Sequence, residues 1–242
     1  MVLLYHLARG SIEPGVYHLF GQGATGKTTI AACCAAGVAA RGKAVAWIDA
    51  SAGFSAPRFA EISASVAGDD MSSRVLLNKV ANPLALDHAL KLLQEHVAKW
   101  RCGLVVLDTA FGTCNRAVDD PAIARVLWIQ AKEQLSRLVL LCNAHHIPLL
   151  LVNTVGYKPG ADQERPTGED IIAAWRPEAA MTRHVIGPGG KTGRIAYLSC
   201  DDDTTFTIAG GGIEQAAAPA PARHAGEIDG EEAESTGEGE EA

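Results

Sequence analysis

No Cys-x-x-Cys pair occurs in the chain, although it has six cysteines, at positions 33, 34, 102, 114, 142 and 200. The usual ligand spacing of a zinc site is therefore missing, and no disulfide framework is suggested. Most of the six lie in apolar runs and read as buried free thiols of a reducing cytoplasm. Long clean apolar runs are also lacking. Residues 138–152 come closest, but Asn143, His145, His146 and Pro148 interrupt them, which argues against a membrane span. Residues 1–7 are too short and too weakly basic for a secretory signal. Net charge disappears once it is located. The formal charge is −7, and the stretch from Ala216 onward accounts for all of it: Glu227, Asp229, Glu231, Glu232, Glu234, Glu238, Glu240 and Glu241 stand against Arg223 alone. The body before it holds twenty acids and twenty bases, so attraction of a polyanion must come from local patches.

What is present is led by Gly21-Gln22-Gly23-Ala24-Thr25-Gly26-Lys27-Thr28-Thr29. Glycine, four residues, glycine, lysine, threonine is the pattern of a phosphate-binding loop. Gly21, Gly23 and Gly26 let successive N–H groups face one concavity. Lys27 can reach the β- and γ-phosphates of ATP, and the Thr28 hydroxyl can ligate Mg²⁺. The context fits: a β-prone run over 15–20 precedes the loop, and an alanine-rich helix over 29–41 follows it. A helix N-terminus then faces the same anion.

The chain in order reads as strands at 43–49, 73–80, 104–108 and 148–154, alternating with helices at 57–66, 84–100 and 119–145. A polar loop over 156–168 leads to a short helix at 169–176. Strands at 180–186, 194–199 and 204–208 follow, with a glycine-rich turn at 187–190. This order predicts an α/β core with a mostly parallel twisted sheet flanked by helices and a C-terminal antiparallel β extension. Residues 1–215 read as that core, and 216–242 as a disordered acidic tail. Asp108 closes an apolar strand and reads as a second Mg²⁺ group. Trp47, Trp100, Trp128 and Trp175 read as core or interface residues. His145 and His146 read as a helix end; neighbours in sequence do not share a helix face.

From about residue 7 to 214 the chain resembles the RecA/Rad51 recombinase superfamily, and within it the archaeal RadB proteins. The phosphate loop, Val45-Ala46-Trp47-Ile48-Asp49, the strand ending at Asp108, and Leu150-Leu151-Val152-Asn153-Thr154-Val155 carry the likeness in that order. Arg165-Pro166-Thr167-Gly168-Glu169-Asp170-Ile171-Ile172, with Trp175, is most similar to RadB. The chain starts almost directly at the ATPase core, without a helix-hairpin-helix domain, as RadB does.

The resemblance implies a RecA-like fold, ATP with Mg²⁺, and sequence-nonspecific DNA binding in recombination and repair. It implies the main archaeal recombinase and a Holliday-junction resolvase as partners, and it is compatible with a homo-oligomer. The 156–168 segment matches the family's second DNA loop, with Lys158 and Arg165 as cations; Lys191 and Arg194 flank the later glycine-rich turn. Two positions depart from the pattern. Ser51 stands where recombinases carry the glutamate that activates water, and Thr154 where they carry a glutamine sensing the γ-phosphate. Ser51 is no general base at neutral pH, so weak hydrolysis is expected. A regulatory ATPase of the circadian-clock type and a small-molecule kinase stay open as alternatives. No acceptor-binding constellation or lid favours the kinase.

Overall fold

The computed structural model describes residues 12–113, 120–156, 165–187, 190–197 and 203–215. Its elements are β1 (Val16–Gly21), α1 (Lys27–Ala40), β2 (Ala44–Asp49), α2 (Ala56–Ala67), β3 (Val75–Lys79), α3 (Pro83–His96), β4 (Cys102–Asp108) and α4 (Pro121–Ala144). They continue with β5 (Leu149–Gly156), β6 (Arg165–Pro166), α5 (Glu169–Ala173), β7 (Glu178–Gly187), β8 (Gly190–Tyr197), β9 (Asp203–Ala209) and β10 (Gly212–Gln215). The sheet order is β10-β9-β8-β7-β1-β5-β4-β2-β3, and β6 folds back on β5. From β7 to β3 the pairings are parallel; β7 through β10 pair antiparallel.

Side-chain alternation builds two cores from continuous apolar runs. In β2, Val45 and Trp47 join one cluster with α1 and α2, while Ala46 and Ile48 join the other with α3 and α4. In β4, Leu104 and Val106 face the first cluster and Val105 and Leu107 the second. Burial on both faces is why these strands read as uninterrupted hydrophobic stretches. A one-residue slip would exchange the two sets, so register is tightly held.

The helix starts follow from the sequence. Ser55, Asn82 and Asp120 cap α2, α3 and α4 by accepting from the backbone N–H groups of Arg58, Ala85 and Ala122. Pro57, Pro83 and Pro121 sit in the first turns, where their missing N–H costs nothing. Small side chains from Ala31 to Ala36 are buried and bring α1 close to the sheet.

Four elements differ from the sequence reading. The first helix starts at Lys27 inside the motif. Ser72–Arg74 forms a short 3-10 turn before β3. β8 starts at Gly190, because Gly187 and Gly190 close the ladder, so Lys191 lies within the strand opposite Ile186. β10 was not foreseen; its short Gly212-Ile213-Glu214-Gln215 run pairs with β9. The 216–242 tail, Cys114, Cys200 and Lys158 lie outside the described residues. No described helix is long and apolar enough to cross a membrane.

Candidate nucleotide site and DNA-facing edge

The phosphate loop joins β1 to α1, and close packing explains two of its glycines. A Cβ at Gly21 would lie 2.2 Å from the Thr182 carbonyl oxygen of β7. Gly26 has φ +91, and a Cβ there would meet Ile208 Cδ1 of β9 at 2.7 Å. The buried hydroxyls of Thr25 and Thr182 are 2.7 Å apart, which pins the loop to β7. Lys27 folds back over the loop, donating to the carbonyls of Gly21 at 3.0 Å and Gln22 at 2.5 Å. Burial lowers its pKa, opposed by nearby Asp108. A cavity of about 210 Å³ is lined by Ala24, Thr25, Gly26, Lys27, Thr28, Thr29 and Ile208.

Two carboxylates end neighbouring strands beside this loop; Asp49 and Asp108 are register partners and both are buried. Thr28 donates its hydroxyl to Asp108 Oδ2 at 2.9 Å. Burial raises the Asp108 pKa and Asp49 raises it further, while the hydrogen bonds from Thr28 and Thr109 and the charge of Lys27 work downward. A hydroxyl and a carboxylate in contact are hard oxygen donors of the kind Mg²⁺ prefers. Asp49 does different work. It accepts from the N–H groups of Ser51, Gly53 and Phe54 and from the Ser51 hydroxyl, at 3.1–3.2 Å. The sequence reading missed this role, although Asp49 ends its strand just as Asp108 does.

Ser51 therefore sits in a loop held beside the Thr28–Asp108 pair. Its hydroxyl donates to Asp49 and accepts from Gly53 N. Glu61, the next acid, faces away on α2 in an exposed ion pair with Arg58 at 2.9 Å. No carboxylate occupies the position of a water-activating base on this loop.

Of the other candidates, Arg165, Lys191 and Arg194 lie on strands that run past the same sheet edge. Gly21 pairs in register with both Thr154 of β5 and Thr182 of β7. Beyond that line β5 continues to Gly156, which pairs with Arg165, and β7 continues to Gly187. Arg165 is exposed and bonded to Glu169 at 3.3 Å. Arg194 pairs with Arg183 in the β7–β8 ladder. Thr154 lies 3.5 Å, hydroxyl to hydroxyl, from Thr167 on the returning segment. Behind it, Asn153 is fully buried, 3.3 Å from His18 Nε2 of β1. Burial lowers the His18 pKa to about 4. His18 was also missed; a polar residue in an otherwise apolar strand was the signal. Trp47 is buried, and Trp100, Trp128 and Trp175 pack against the second core, as expected. Cys33, Cys34, Cys102 and Cys142 are buried free thiols. Among the described residues no cluster of metal-ligating type gathers around His145 and His146.

A parallel sheet between helix layers, extended by antiparallel strands and carrying a phosphate loop after its central strand, defines a RecA-like α/β protein. The crystal structure of the RadB recombinase matches this fold with a TM-score of 0.68 at 21% identity, covering 85% of this chain and 92% of that chain. The sequence is 30% identical over 199 residues to the DNA repair and recombination protein RadB of Thermococcus gammatolerans, covering 81% of this chain and 85% of that protein. The chain belongs to the RadB family. No family profile matches it.

Proposed function

We propose that this protein binds ATP with Mg²⁺ and binds DNA without sequence preference, assisting or regulating homologous recombination and DNA repair, with slow ATP hydrolysis. The observation that carries the nucleotide part is the Thr28–Asp108 hydrogen bond beside the phosphate loop. Residues 21–29 would hold the triphosphate through backbone N–H groups and Lys27. Thr28 and Asp108 would hold Mg²⁺, which neutralises phosphate charge when bound. Ser51 orders its own loop and takes up no proton, so slow turnover is the reading.

The DNA part rests on the shared edge. Arg165, Lys191 and Arg194 stand beyond the line of Gly21, so nucleotide and DNA would be neighbours, with Lys158 a further cation by resemblance. Glycine-rich loops with cations suit phosphate-backbone contact. The Arg165–Glu169 pair is exposed, a class worth about 0–1 kcal/mol, so Arg165 can exchange Glu169 for a phosphate readily. By resemblance, the main archaeal recombinase and a Holliday-junction resolvase would be its partners, and its free thiols suit a reducing cytoplasm. The acidic 216–242 tail would compete with DNA for the basic loops.

Calorimetry with ATP–Mg²⁺ tests the reading. Lys27→Ala is expected to weaken binding at least about tenfold, about 1.4 kcal/mol. Unchanged affinity overturns the assignment.

A further inference from the structure

The edge of the sheet opposite the phosphate loop carries an unpaired set of cations. Arg41 caps the C-terminus of α1, and Lys43 follows after the open turn at Gly42. The Arg74 guanidinium reaches in from the start of β3 and donates to the Gly42 carbonyl at 3.2 Å. Arg101 precedes β4 and accepts from Ala44 N through its carbonyl at 3.4 Å. The starts of three neighbouring strands, β3, β2 and β4, thus each place a basic residue at this edge. Arg41, Lys43, Arg74 and Arg101 are all exposed, and none is in an ion pair among the described residues. Asp69 and Asp70 are the acids of the adjoining loop, and Asp70 is engaged with Ser72 N at 2.8 Å.

A helix C-terminus attracts a cation within its last turn. That accounts for Arg41. It does not account for Arg74, which arrives from another element, or for Lys43 beyond the turn. Three of the four are arginines, whose forked guanidinium matches phosphate oxygens. No exposed aromatic stands among them to read a base.

We propose that Arg41, Lys43, Arg74 and Arg101 form a second nucleic-acid site that holds a phosphate backbone at the edge opposite the nucleotide. It rests on the reading that this protein binds DNA, and it allows one chain to touch two DNA segments at opposite edges. Such a site is independent of ATP, because the whole length of the sheet separates it from the phosphate loop.

The test is the full-length Arg41→Gln/Lys43→Gln/Arg101→Gln variant, leaving Arg74 to hold the turn. Its binding to a labelled random duplex is measured by anisotropy over about 50–200 mM salt. Fluorescent ATP analogue binding serves as the folding control and is expected to be unchanged. Duplex affinity is expected to fall at least about fivefold, with the slope of log K against log salt shallower by about 0.9 for each phosphate no longer neutralised. Unchanged affinity and slope overturn the site. The same substitutions are then made in a full-length chain whose eight tail acids are neutralised to Asn and Gln. Loss that persists there supports DNA contact. Loss that vanishes overturns it and assigns the patch to the acidic tail. A wild-type protein that binds no DNA at low salt overturns the underlying reading instead.

Discussion

The side-chain amide of Asn153 donates to the Thr167 carbonyl at 2.7 Å, tying the end of β5 to the segment that returns from residues 157–164. Its Oδ1 accepts from Thr154 N at 2.9 Å, so one buried amide fixes both sides of this excursion. Asn153→Leu is expected to strand the Thr167 carbonyl and cost about 1–3 kcal/mol of stability. Urea unfolding checks it; an unchanged midpoint shows that the bonds contribute nothing.

His18 makes stability depend on pH. Its folded pKa of about 4 lies below the usual 6.5, so the folded state keeps it neutral while the unfolded chain protonates it. Its contribution is present above 6.5 and is lost as pH falls toward about 4. By linkage, the loss from pH 7 to 5 is about 2 kcal/mol. His18→Leu is expected to flatten the stability curve in that window. Parallel curves for both proteins contradict the assignment.

Asp108 illustrates the cost of burying a carboxylate. Its raised pKa means that the folded state binds this proton more tightly than the unfolded chain, so ionisation at neutral pH opposes folding. Asp108→Asn keeps the shape and removes the charge. Its melting temperature is expected to equal or exceed the wild type's at pH 7, while Mg²⁺-dependent ATP affinity falls about tenfold or more, within the range for a charged contact. A lower melting temperature with unchanged affinity contradicts the metal role.

Turnover tests Ser51. General-base catalysis contributes about 10²–10⁴-fold, so the wild-type rate is expected to be low and Ser51→Glu to raise it. Thr154→Gln added to Ser51→Glu is expected to raise it further. A fast wild-type rate that Lys27→Ala abolishes shows that another group serves as base.

The DNA contact proposed for the phosphate-loop edge would have its own signature. Lys158→Ala with Arg165→Ala is expected to weaken binding to all sequences alike. The salt slope flattens by about 0.7 for each single-strand phosphate that the double variant leaves without a cation. An unchanged slope moves the site toward Lys191 and Arg194.

The parallel core was legible because its strands are apolar on both faces and its helices open with a cap residue and a proline. The phosphate loop was legible because its motif is contiguous in sequence, although Thr182 and Ile208 from distant strands are what crowd Gly21 and Gly26. Asp49 and His18 were less so, because their partners come from backbone N–H groups and from Asn153 across the sheet. β10 was hidden for the same reason: little in Gly212-Ile213-Glu214-Gln215 favours a strand until α1 and α2 supply a surface. The convergence on Gly42 was invisible too, since Arg74 reaches it only through the pairing of β2 with β3.

The last hairpin gives the chain an order of completion. Arg58 of α2 donates to the carbonyls of Ala209 and Gly210, and Gly212 packs so closely that a Cβ would meet Cys33 Sγ of α1 at 2.9 Å. The phosphate-loop helix is made well before this hairpin, and β10 completes a cover that α2 begins. During synthesis the cover over Cys33 and Ile62 stays incomplete until Gly212 has emerged. A nascent chain stalled before Gly212 would offer this apolar seam to chaperones, although its loop sequence is already complete.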